Sequence, residues 1–240
     1  MQDRNYNNEF VHALFTLLFA LTFVGCSSGE PTKALTARAT ETAPPSSAPA
    51  PQPQGLPRVV VLGDSLTAGL GLAPEQSYPS ILQRHMKTEG YTYEVVNAGV
   101  SGDTSAGGVR RLDWALEGQV RVLVVALGAN DGLRGLPVDQ MKQNLGEIIA
   151  RGQRQGARVL LAGMEAPPNY GSAYTAAFRQ TYRDLAREYK VPLVPFLLDG
   201  VAGIPALNIA DGMHPNPEGA RIVERTVWRA LEPLLDRTHS

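Results

Sequence analysis

The stretch VVVLGDSLTAG, residues 59–69, decides the architecture. Val59, Val60, Val61 and Leu62 are consecutive branched aliphatics, the composition of a strand buried on both faces. Gly63-Asp64-Ser65 ends that strand abruptly, and a helix can start at Ser65. A hydroxyl at a strand-to-helix junction is well sited for nucleophilic attack. The helix N-terminus beside it offers free N–H groups to any negative charge that develops. The competing reading is a serine that merely caps the next helix, and the rest of the chain weighs between the two.

Outward from this stretch, short apolar runs alternate with longer periodic segments. The runs at 58–62, 92–97, 121–127, 157–162 and 192–194 read as strands. RVLVVALG, at 121–128, is almost continuously apolar, as a central strand requires. Residues 77–88, 139–153, 173–188 and 217–235 place apolar side chains at three- and four-residue spacing and read as helices. Strands alternating with helices predict an α/β fold, a mostly parallel five-stranded sheet within a three-layer α/β/α sandwich. Ligands in such sheets bind at the carboxyl ends of the strands. The loops there hold Gly63-Asp64-Ser65, NAGVSGDT (97–104), GANDG (128–132), APPNYG (166–171) and ADGMHPN (210–216).

A serine hydroxyl needs a neighbouring base. His12 and His239 lie near the chain ends and His85 falls inside a helix pattern, so His214 is the candidate. Asp211, three residues earlier, can reach its Nδ1 side and fix the tautomer. The competing reading of Asp211 is an Asx-turn before the last helix. Ester chemistry also needs donors for an oxyanion. The Ser65 N–H, the Gly99 N–H and the Asn130 side-chain amide are on offer, although Gly99 and Asn130 also suit ordinary turns. Leu133, Met164, Pro167, Pro168 and Tyr170 are candidates for an apolar groove at the rim.

These four elements resemble the consensus blocks of the SGNH, or GDSL, hydrolase family. Gly63-Asp64-Ser65-Leu66 is similar to the first block, Gly99 with its loop to the second, Gly128-Ala129-Asn130-Asp131 to the third, and Asp211-Gly212-Met213-His214-Pro215 to the last. The resemblance covers about residues 57–235. It implies a flavodoxin-like SGNH hydrolase fold and a Ser65-His214-Asp211 triad acting through an acyl-enzyme. It implies an oxyanion hole of Ser65, Gly99 and Asn130, with no metal or organic cofactor. NDGLRG (130–135), PPNYG (167–171) and VPLVPF (191–196) resemble the branch containing thioesterase I, lysophospholipase L1 and arylesterase. Acyl esters, thioesters, lysophospholipids and aryl esters are the substrates this implies. A carbohydrate O-acetylesterase using the same residues is the nearest alternative. A non-catalytic binding module, or a cofactor-binding protein of flavodoxin type, would leave Ser65, Asn130 and His214 together unexplained.

The ends of the chain carry other information. VHALFTLLFALTFV, residues 11–24, is short for a lasting membrane span and right for a signal-peptide core. Gly25-Cys26-Ser27-Ser28 follows and resembles a bacterial lipoprotein box, with Phe23 where that box usually carries Leu. Lipidation at Cys26, and an outer-membrane anchor facing the periplasm, are expected; soluble export is the alternative. Residues 27–56 read as a Pro-rich linker that cannot bury enough apolar surface to fold, and 57–240 as a single hydrolase domain. Cys26 is the only cysteine, which excludes an intrachain disulfide and a multi-cysteine metal site. A net charge of -1 argues against nucleic-acid partners. A monomer is expected.

Overall fold

The computed structural model describes residues 55–237. The apolar stretch 11–24, Cys26 and all but the last two residues of the 27–56 linker lie outside the described residues.

Five parallel strands form one sheet: β1 (Arg58–Gly63), β2 (Glu94–Gly99), β3 (Val120–Ala126), β4 (Arg158–Ala162) and β5 (Leu193–Val194). Their order is β2-β1-β3-β4-β5. Val59–Leu62 and Val122–Val125 are at most 1% exposed, because helices cover both faces of the central strands. The chain turns one way from β1 to β2 and the opposite way from β2 onward. Right-handed crossovers therefore put α2 (Tyr78–Thr88) on one face. The connections through α3 (Ser105–Arg110), α6 (Val138–Arg154) and α7 (Ser172–Tyr189) lie on the other. The last long helix, α8 (Pro217–Leu231), packs on α2. The connections diverge between the carboxyl ends of β1 and β3, and such a switch point is where open α/β sheets form a binding crevice.

The main elements match the periodicity reading to within a few residues. Three differences have local causes. The predicted helix 217–235 stops at Leu231 and continues as a 3₁₀ turn, Glu232–Leu234, because Pro233 has no N–H for the α ladder. β2 begins two residues later than read and runs on to Gly99, whose Cα pairs with Gly63 at the end of β1. A short helix, α5 (Ala129–Leu133), occupies a segment read as a loop, and two more, α3 and α4 (Leu112–Ala115), fall where no element was read. Among the described residues, no helix is long and apolar enough to cross a membrane.

Candidate active site

The first turn after β1 is α1 (Ser65–Ala68). Asp64 caps it, its Oδ1 accepting the Leu66 N–H at 3.0 Å. The cap turns the chain sharply and leaves Ser65 at the head of the helix. Ser65 Oγ lies 2.8 Å from His214 Nε2. His214 Nδ1 lies 2.6 Å from Asp211 Oδ2. The other oxygen, Asp211 Oδ1, accepts the N–H groups of Met213 and His214 at 2.9 and 3.0 Å. The loop itself is pinned by a bridge between Asn208 and Pro215 and by the Ile209 N–H donating to the His214 carbonyl. Side chains 149 residues apart thus form one continuous relay, Ser65–His214–Asp211.

Asn130 lies in the first turn of α5, just after β3 and across the crevice. Its Nδ2 donates to the Asp103 carbonyl at 2.9 Å and makes a long contact, 3.4 Å, with Asp64 Oδ2. Ser65, Asn130 and His214 line one cleft of about 530 Å³, otherwise walled mainly by apolar side chains. Leu133, Met164 and Pro167 belong to that wall as expected from the sequence. Pro168 and Tyr170 do not; the Tyr170 hydroxyl instead donates to the Leu133 carbonyl and supports the wall from behind.

Residues 61–222 match the GDSL-like lipase/acylhydrolase family. The chain belongs to that family. Esterase TesA of Pseudomonas aeruginosa is 45% identical over 178 residues, 74% of this chain and 89% of that protein. Thioesterase 1/protease 1/lysophospholipase L1 of Escherichia coli K12 is 37% identical over 179 residues, 74% of this chain and 85% of that one. The crystal structure of TesA superposes with a TM-score of 0.72, covering 74% of this chain and 99% of the other. That of the psychrotrophic esterase EstA from Pseudoalteromonas sp., inhibited by monoethylphosphonate, is 32% identical. It superposes with a TM-score of 0.70 and covers 73% of this chain and 97% of that one. The protein is accordingly a GDSL-family carboxylic ester hydrolase.

In this GDSL hydrolase Gly99 is not placed as its sequence position suggested. Its N–H is taken by the Asn97 side chain at 3.0 Å. A Cβ there would stand 2.2 Å from the backbone nitrogen of Ala68, so the glycine lets β2 approach α1. Gly102, three residues on, lines the cleft with Ser65 and Asn130. It has φ +81°, a left-handed conformation that suits glycine. The bonds fixing this loop use the N–H groups of Gly99, Val100 and Asp103, and leave that of Gly102 unused. The available signal was the Ser-Gly-Asp turn sequence within NAGVSGDT.

The two acids of the site have opposite electrostatics. The His214 and Met213 backbone N–H groups, with the imidazole, hold Asp211 down at about 2. Burial pushes Asp64 up from 3.8 to about 6, against the opposing effect of the Leu66 N–H. The folded chain therefore keeps a proton on Asp64 at a pH where the unfolded chain has released it. Stability contributed by that proton falls as pH rises from about 4 to about 6, by roughly 3 kcal/mol. Asp64→Asn retains the cap and removes the titration. Wild-type stability measured by urea unfolding should drop relative to the variant across this window and run parallel to it above. A difference independent of pH would show that Asp64 ionises normally.

Proposed function

We propose that the enzyme cleaves carboxylic ester and thioester bonds of acyl substrates through Ser65, His214 and Asp211. The observation that carries this reading is the Ser65–His214–Asp211 relay, at 2.8 and 2.6 Å, at the mouth of an apolar cleft. His214 Nε2 accepts the Ser65 proton as Oγ attacks the acyl carbon. The tetrahedral oxyanion is met by the Ser65 N–H, the Gly102 N–H and the Asn130 amide. One Asn130 hydrogen is committed to Asp103. The 3.4 Å contact of the other with Asp64 is too long to hold it strongly, which frees it for the oxyanion. The alcohol or thiol leaves with the proton from His214. Water, activated by the same ring, then releases the acid from the acyl-enzyme.

Acyl chains, including those of lysophospholipids, fit the cleft better than acetylated sugars. Leu70, Leu133 and Met213 line it and are still 44, 47 and 51% exposed, an apolar lip that suits hydrocarbon. Names such as arylesterase and lysophospholipase among the relatives agree with this reading. Each CH₂ moved from water into such a wall is worth about 0.8 kcal/mol. For acyl esters of increasing length, kcat/KM should rise about fourfold per carbon until the cleft is filled. Efficient action restricted to acetyl groups on xylan would overturn this preference and install the O-acetylesterase.

Asn130→Ala should lower kcat by about 10²–10³-fold with a much smaller change in KM, since the donor acts on charge made in the transition state. Unchanged turnover would return Asn130 to the role of a turn former.

Placement follows from the N-terminal sequence. We propose export, lipidation at Cys26 and anchoring at the outer membrane facing the periplasm, with residues 27–56 as the tether. Mass spectrometry of the mature N-terminus tests this; an unacylated start at or beyond Ser27 means a soluble exported enzyme.

A further inference from the structure

Arg111 follows α3 and takes no part in the relay, yet its side chain is only 17% exposed and each of its three guanidinium nitrogens donates a hydrogen bond. Nε donates to Asp103 Oδ2 at 2.5 Å. Nη1 donates to the Ala98 carbonyl and Nη2 to the Gly63 carbonyl, each at 2.7 Å. These acceptors belong to three separate pieces of the site. Gly63 ends β1, two residues before Ser65. Ala98 lies at the end of β2. Asp103 follows Gly102 in the loop that faces the oxyanion.

The loop is tied to the same point by other bonds. The Val100 N–H donates to the Gly63 carbonyl at 3.0 Å, and the Asp103 N–H closes the turn onto the Val100 carbonyl at 3.0 Å. The Asp103 carbonyl receives the Asn130 amide at 2.9 Å. The Asp103 carboxylate sits over Gly107, where a Cβ would lie 1.9 Å from Oδ1. A single planar fork therefore joins the strand that carries the nucleophile to the residue that orients Asn130 and follows Gly102. Such a fork fixes direction as well as distance, which an ammonium cannot reproduce.

We propose that Arg111 is a positioning residue for hydrolysis: through Asp103, Ala98 and Gly63 it sets the oxyanion donors relative to Ser65. This rests on the reading of Ser65, Gly102 and Asn130 given above. A group that acts only on donor placement affects the transition state more than the bound substrate. Misplacement of about 1 Å far from the reacting atoms is enough for about a 10²-fold loss.

The test uses the full chain and a soluble short-chain ester, with active sites counted by exhaustive labelling with an organophosphonate. Arg111→Lys keeps the charge and loses the fork. Its kcat per labelled site should fall about 10²-fold while KM stays within about twofold. In Arg111→Ala, millimolar guanidinium should restore part of the lost kcat, which it does not do for Asn130→Ala. If Arg111→Ala does not fold, Arg111→Lys decides alone. Wild-type turnover per labelled site in Arg111→Lys, whatever its melting temperature, or a loss confined to KM, overturns the proposal and leaves Arg111 a closure of strand ends. An enzyme that hydrolyses none of these esters in its wild-type form would instead refute the proposed function.

Discussion

Ser65→Ala leaves a folded protein whose ester turnover is lower by about 10⁵–10⁶-fold. The magnitude follows from what the hydroxyl does. Its oxygen is the only group in the relay that can form the acyl bond, and its one side-chain partner is His214 Nε2 at 2.8 Å. Without it the imidazole can act only on water, and what remains is the catalysis of the oxyanion donors. The fold should not notice the change. The cap of α1 runs from Asp64 to Leu66, not through Ser65, and alanine is the better helix former. Circular dichroism and the thermal midpoint should match wild type while kcat on p-nitrophenyl esters collapses. Turnover within tenfold of wild type would move the nucleophile to another residue.

The fold was legible where burial on two faces leaves a run of aliphatics. Val59–Leu62 and Val122–Val125 announce central strands because such runs are short, rich in β-branched residues and end at glycines. The short helix α3 was not legible. Its sequence, SAGGVR, has two glycines and poor helix propensity. What holds it is remote: Asp131, in α5, accepts both the Ser105 N–H and the Ser105 hydroxyl, at 2.8 and 2.6 Å. Gly108 is there because a Cβ would lie 2.2 Å from Leu127. Helix α5 is similar, since GANDG spells a turn until Gly128, at φ +113°, starts it beneath Tyr182. No local pattern contains these contacts.

The site divides in the same way. Ser65, Asn130, Asp211 and His214 were identifiable because their chemistry restricts the residue type. The structure brings all four into contact or onto one cleft. Gly99 and Gly102 were not separable, because a glycine required for close packing and a glycine required for a left-handed turn are the same letter. Only the register Gly63–Gly99, with Ala68 stacked against it, shows which is which. Arg110 and Arg111 pose the same problem. One is exposed and the other closes three strand and loop ends, and periodicity in a six-residue helix is too short to tell them apart.

Asp211→Asn should lower kcat by about 10⁴-fold, more than the loss of an oxyanion donor, because the surrounding donors dictate how the amide sits. Asp211 Oδ1 accepts two backbone N–H groups, from Met213 and His214. An asparagine must put its carbonyl oxygen there, since the alternative turns an NH₂ group against two donors. The NH₂ then faces His214 Nδ1, which must become the acceptor. The ring proton moves to Nε2, and the 2.8 Å contact with Ser65 reverses direction, so the imidazole donates to Oγ and can no longer take its proton. The relay keeps its distances and loses its function. Crystallographic positions of His214 and Ser65 in the variant should be unchanged, and labelling by an organophosphonate should slow in parallel with kcat. Turnover above one tenth of wild type would mean that Asp211 serves only the Asx-turn, and that His214 holds its tautomer by another contact.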